Sequence, residues 1–279
     1  MSLLPEQYLE STVYLEKDTS FSWTWFLIWI KTWEINAEWN TLYHIFLVTN
    51  KHNIDNGETL HIYFNKLDWT WIGKEDIDIV SSKWIYHENI SDVNAPWYVD
   101  VVMLQVSFGY LVQWWYQFSF IPEENIVIDH DFFENKIRVW HEIYLLWFPL
   151  SIKGLNHNYP IARQWIIARN DKELLGKKEF YLDVNNFPWN SWWPVILKPS
   201  IMALWEEAPI AESKLLGTIK TYSPYRKTYY DNSVDPPIAT VMMSENSWLA
   251  QWIPSYILYE MWKKYIEEQT QNTLFAQQQ

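Results

Sequence analysis

The sequence predicts an all-β protein of two β-rich halves closed by one C-terminal helix, and three observations carry that prediction. Short runs rich in β-branched and aromatic residues recur along the chain, separated by turn-type clusters such as Asn53-Ile54-Asp55-Asn56-Gly57 and Asn185-Asn186. Many short strands punctuated in this way mark a sandwich or a barrel. A softer, charged stretch, Pro122 to Glu134, divides the chain into halves of about 110 to 120 residues. Near the end the apolar period changes from that of a strand to that of a helix.

The strands follow in order. In the first half they are Ser11 to Leu15, Tyr43 to Thr49, Leu60 to Phe64 and Val99 to Val106, with Lys83-Trp84-Ile85-Tyr86-His87 as a shorter aromatic one. In the second half they are Ile143 to Trp147, Gln164 to Ala168, Glu179 to Val184, Pro194 to Leu197 and Leu215 to Thr221. After Pro254-Ser255, the residues Ile257, Leu258, Met261, Trp262 and Tyr265 fall on one helical face. The polar tail from Glu267 to Gln279 predicts fraying.

Composition narrows the function. A hydrophobic share of 49% beside 20% charged residues describes a packed chain. A net charge of -13 argues against a nucleic-acid backbone or an anionic membrane as partner, since both call for basic surface. With no cysteine, there is no disulfide framework, thiolate metal site or cysteine nucleophile. The most apolar run, Phe21 to Ile30, is shorter than the roughly 20 residues a bilayer requires, and the first residues lack a signal-peptide pattern, so the expected location is cytoplasmic. The seven histidines form no HExxH pair, and His130-Asp131 and His141-Glu142 read as surface pairs, so no metal or other cofactor is expected.

Three local patterns hold the chemistry. Leu47-Val48-Thr49-Asn50-Lys51-His52 is an apolar strand ending in a polar turn that presents a histidine. In Tyr98-Val99-Asp100-Val101-Val102, an aspartate opens an apolar strand, where a carboxylate either finds hydrogen-bond partners or stays at the edge. The third, Phe187-Pro188-Trp189-Asn190-Ser191-Trp192-Trp193-Pro194-Val195, sets one serine among tryptophans.

That last segment gains meaning from an imbalance. The chain has 6 glycines and 21 tryptophans, whereas a soluble chain of this length carries about 20 glycines. With glycine at its three tryptophans, the segment becomes Pro-Gly-Asn-Ser-Gly-Gly-Pro-Val, which resembles the nucleophile loop of the bacterial trypsin-like (chymotrypsin-fold) serine peptidases. The same replacement at Trp23 and Trp25, at Trp147 in Leu146-Trp147-Phe148-Pro149, at Trp165 in Arg163-Gln164-Trp165-Ile166-Ile167, and at Trp248 and Trp252 brings four more segments into likeness with that family. The resemblance covers about residues 10 to 268. It predicts that most of the tryptophans are glycine in the organism's own protein, through UGA codons read as glycine by the host. Trp84, in its ordinary aromatic strand, is expected to be genuine.

The resemblance implies two six-stranded antiparallel β-barrels, at residues 10–118 and 125–252, with a C-terminal helix at 254–268. It implies hydrolysis of a polypeptide substrate in the cleft between them. His52 would be the general base, Asp100 its orienting acid and Ser191 the nucleophile, with the oxyanion held by the backbone N–H groups of Trp189 and Ser191. These roles suit the chemistry. A serine hydroxyl needs an adjacent base, imidazole titrates near neutrality, and a buried carboxylate fixes the ring's tautomer. Asn185, six residues before the nucleophile, would floor the primary pocket without a charge to select basic side chains. Lys220, Thr221 and Tyr222 would lie on the strand that pairs with substrate, Tyr222 narrowing the pocket.

Two other readings stay open at this point. Exposed tryptophans stack on sugars and other planar ligands, which would make the chain a binding module. If the indoles of the nucleophile loop are genuine, three bulky residues crowd one serine and the protein is an inactive scaffold. The sequence leaves the oligomeric state open.

Overall fold

A computed structural model describes residues 4–17, 21–35, 41–55, 59–68, 71–91, 95, 98–148, 154, 156–184, 193–200, 210–231 and 238–277. The first half opens with helix α1 (Glu6–Glu10) and strands β1 (Thr12–Lys17), β2 (Phe21–Ile35) and β3 (Thr41–Thr49). A four-residue helix α2 (Lys51–Ile54) leads to β4 (Thr59–Lys66), β5 (Ile72–Asp78), β6 (Trp84–Tyr86) and β7 (Val102–Val106). Helix α3 (Phe108–Gln113) and the short β8 (Tyr116–Gln117) and β9 (Ile121–Pro122) complete it. The second half contains α4 (His130–Asn135), β10 (Glu142–Trp147), β11 (Ile161–Arg169), α5 (Lys172–Gly176), β12 (Phe180–Asp183), β13 (Pro194–Leu197), β14 (Lys214–Asp231), β15 (Ile238–Pro254) and helix α6 (Tyr256–Gln277).

The architecture is all-β, as the sequence predicts. In the second half, six strands close an antiparallel barrel in the order β10-β11-β12-β15-β14-β13. The first half is a curled sheet ordered β5-β4-β1-β2-β3-β7-β6, with β8 on β4 and β9 on β2. Helix α6 runs through Gln277, well into the polar tail that starts at Glu267, because the glutamate and glutamine of the tail are good helix formers. No helix among the described residues is long and apolar enough to cross a membrane.

The sheets are placed by strands buried on both faces. On β2, Trp25 and Leu27 point into the curl of the first sheet, while Phe26 and Ile28 join a second core shared with the barrel and α6. Ile45 and Leu47 against Phe46 and Val48 repeat this on β3. A side-chain period of two sends alternate residues to opposite faces, so a continuous apolar run serves two cores at once. Polar ties fix the join. The Tyr8 hydroxyl donates to the Ser213 carbonyl at 2.6 Å, Phe148 N–H donates to Thr24 Oγ1 at 3.0 Å, and Ser255 Oγ donates to the Val127 carbonyl at 2.7 Å.

The tryptophans do not behave alike. Among the described residues, four that are not glycine adopt the left-handed backbone region: Trp115 (φ 57°), Trp140 (φ 75°), Trp248 (φ 64°) and Lys178 (φ 57°). A side chain there costs about 1–3 kcal/mol, and glycine avoids that cost. The indole nitrogens of Trp25, Trp29, Trp147, Trp165, Trp252 and Trp262 are buried with no hydrogen-bond acceptor among the described residues, although buried tryptophan normally finds one. Trp84 is different: its indole N–H donates to the Ile79 carbonyl at 3.0 Å.

Candidate active site

The site forms where the end of β3 faces the barrel. Strand β3 delivers Thr49 and Asn50 fully buried, and the chain then turns into α2, which carries His52 outward. Asp100 lies two residues before β7 and is 4% exposed, so it is buried rather than held at an edge. Its neighbour β7 pairs with β3 from Thr49↔Val102 to Ile45↔Val106. This antiparallel register brings together two segments about fifty residues apart in sequence.

The Asp100 carboxylate is surrounded by donors. His52 Nδ1 contacts Oδ2, and the His52 backbone N–H donates to Oδ1 at 3.3 Å. Asn50 Nδ2 donates to Oδ2 at 3.3 Å, and the Tyr98 hydroxyl donates to Oδ1 at 3.1 Å. Burial pushes the Asp100 carboxyl up, but the imidazole, the Asn50 amide and the backbone N–H together hold it below its ordinary value. The carboxylate therefore stays charged and orients the ring. The His52 side chain is 44% exposed. Asn50 sits at the N-cap of α2 yet makes no capping bond. Its amide is used on Asp100 and on the Ile219 carbonyl, at 3.4 Å.

Ile219 ties this cluster to the barrel. Its N–H donates to the Trp193 carbonyl at 3.1 Å, so Trp193 is linked through Ile219 and Asn50 to Asp100. Ser191, Trp189 and Asn185 lie outside the described residues. Trp193 itself is 2% exposed and stacks on Trp147 at 4.2 Å. On β14, Gly217 (φ +155°) passes so close to β15 that a Cβ would lie 1.9 Å from the Ile253 carbonyl oxygen, so only glycine fits.

Of the three residues expected to meet substrate on β14, Lys220 pairs with Glu179, each side chain 12% exposed, and its ammonium lies 5.5 Å from the Tyr98 ring centre. Thr221 is half-buried, and the Tyr222 side chain lies outside the described residues. The Lys220, Tyr98 and Asp100 contacts thus run continuously from barrel to carboxylate. Asn50 and Tyr98 as partners of Asp100 were not evident from sequence, although both stand in the motifs that carry His52 and Asp100. His130, Asp131 and Glu134 bring three ligand atoms within 4.8 Å of one another on the surface, and Glu134 is engaged by Lys172 at 2.7 Å.

No protein-family model matches the chain, and no curated protein matches it in sequence.

Proposed function

We propose that the chain is a trypsin-like serine endopeptidase whose own organism places glycine at most of the tryptophan positions, those of the nucleophile loop included. The observation that carries this reading is the His52–Asp100 pair: a buried carboxylate with four donors, one of them a partly exposed imidazole. In the proposed reaction, His52 takes the Ser191 proton as the hydroxyl attacks the peptide carbonyl, and then returns it to the leaving amine. Asp100 holds the ring's tautomer and stabilises the imidazolium. Backbone N–H groups at 189 and 191 stabilise the oxyanion, each worth about 100- to 1000-fold in turnover. No cofactor enters this scheme. The left-handed Trp115, Trp140 and Trp248 support glycine replacement independently of the nucleophile loop.

The test is a fluorophosphonate probe on protein made with glycine at 189, 192 and 193. Labelling at Ser191 that vanishes in Ser191→Ala is the expected result; a folded protein that takes up no probe contradicts the reading. The Trp147–Trp193 stack favours a second reading, an inactive scaffold with genuine indoles in the loop. UGG codons at 189, 192 and 193 would select it.

A further inference from the structure

Asn50 is the residue of the candidate site that stability alone does not explain. It is fully buried at the N-cap of α2, where an asparagine ordinarily accepts from the first backbone N–H groups of the helix. Here its side chain makes no such bond. Its Oδ1 is buried without a donor among the described residues, an unfavourable placement for a polar atom. Only the amide nitrogen is engaged, and both of its contacts lie outside the helix. Nδ2 donates to Asp100 Oδ2 at 3.3 Å and to the Ile219 carbonyl at 3.4 Å.

Those two acceptors belong to different parts of the molecule. Asn50 and Asp100 sit on the curled sheet, at the ends of segments joined by the pairing of β3 with β7. Ile219 lies on β14 of the closed barrel. It is fixed there, since its N–H donates to the Trp193 carbonyl at 3.1 Å and its strand neighbour on β15 is Trp252. The amide carries two hydrogens, one for each acceptor, so a single NH2 group spans from a rigid barrel carbonyl to the oxygen that also meets His52 Nδ1. The His52 backbone N–H and the Tyr98 hydroxyl both go to the other oxygen, Oδ1. Among these donors, Asn50 is the one that ties Oδ2 to the barrel.

We propose that Asn50 is a positioning residue, whose amide holds Asp100 Oδ2 against the barrel so that the His52–Asp100 pair takes its working geometry only when the curled sheet and the barrel are docked. This deepens the peptidase reading and rests on it. A reacting group misplaced by about an ångström loses much of its rate, whereas uniform substrate binding is untouched. The signature is a fall in kcat with KM unchanged. Because Asn50 acts through Asp100, its effect disappears once Asp100 no longer plays its part.

The experiment uses the full chain with glycine at 189, 192 and 193, carrying Asn50→Ser, Asp100→Asn or both. Serine is a good N-cap and keeps α2 folded, but its short hydroxyl does not span the two acceptors. In Asn50→Ser, kcat on a peptide ester is expected to fall about 10- to 100-fold with KM unchanged. The same change in Asp100→Asn protein is expected to alter kcat by less than about twofold. Losses that multiply in the double variant overturn the proposal, and so does an unchanged kcat in Asn50→Ser. A second readout needs no turnover: exchange of the His52 Nδ1 proton with water, followed by proton NMR, is expected to quicken about tenfold in Asn50→Ser. A parent chain that takes up no fluorophosphonate, yet shows this quickening in its variant, removes the peptidase reading and keeps Asn50 as the residue that holds Asp100. Unchanged exchange in the variant of a parent that does label at Ser191 removes the positioning role and leaves the peptidase reading standing.

Discussion

The carboxylate of Asp100 and the indoles inside the closed barrel are buried on opposite terms. Both oxygens of Asp100 accept hydrogen bonds, from His52, Asn50 and Tyr98. In the barrel, the indole nitrogens of Trp147, Trp165 and Trp252 are buried without an acceptor among the described residues. An unmet buried donor costs about 1–3 kcal/mol, so a chain shaped by selection matches such groups. The carboxylate is matched and the three indoles are not, while Asn50 Oδ1, in the same pocket as the carboxylate, has no donor among the described residues. The Asp100 carboxylate and its donors therefore fit this fold, whereas many of the indoles stand where the fold did not provide for them.

The largest effect tests the matched carboxylate. In glycine-restored protein, Asp100→Asn is expected to lower kcat/KM on a peptide ester by about 10,000-fold, because the imidazole loses the group that fixes its tautomer. A fall of less than tenfold would detach Asp100 from the chemistry.

Trp84 and the left-handed tryptophans sharpen the comparison directly. Trp84→Gly removes the bond to Ile79 and the edge contact with Trp25 at 5.9 Å, and is expected to cost about 3 kcal/mol by denaturant unfolding. Glycine at Trp115, Trp140 or Trp248 is expected to do the opposite, adding about 1 kcal/mol each, since the indoles at these positive-φ sites are exposed. If all four substitutions destabilise alike, the division between genuine and misplaced indoles fails.

His87 extends the comparison to a third buried group. Burial, with the Lys178 ammonium nearby, lowers it to about 4. Its Nδ1 accepts from the Asn89 N–H at 3.0 Å and must stay unprotonated to do so; Glu88, Glu260 and Lys264 surround it on the surface. Because the folded value lies below the unfolded one, its stabilising contribution is complete above about pH 6.5 and is lost as the pH falls toward 4. A loss of about 2–3 kcal/mol over that interval is expected in thermal melts, and His87→Asn, an uncharged cap, should flatten it. An unchanged slope in that variant would contradict the assignment. The smallest effect is that of Tyr98→Phe in glycine-restored protein. It removes one of several donors to the carboxylate and should reduce kcat/KM about tenfold with KM unchanged; a rise in KM alone would place Tyr98 at substrate instead.

Much of this was legible in sequence for reasons that can be named. β3, β4 and β7 announce themselves through β-branched and aromatic runs, and the helix α6 through its spacing. The part of β14 beyond Thr221 did not. Pro224 and the polar Thr-Tyr-Ser mixture read as the end of a strand at Thr221, whereas an edge strand tolerates a proline that a central strand does not. The helix α2 is too short to show a period. His52 and Asp100 were found through their order along the chain and the glycine pattern. Their donors Asn50 and Tyr98 escaped because a hydrogen bond across fifty residues leaves no local signature.

The most direct measurement is mass spectrometry of the peptide spanning residues 185–198, taken from protein made in its own cells and treated with a fluorophosphonate. Glycine at 189, 192 and 193 and a phosphonyl group on Ser191 are the expected result. Tryptophan at those three positions beside an unmodified Ser191 would contradict it.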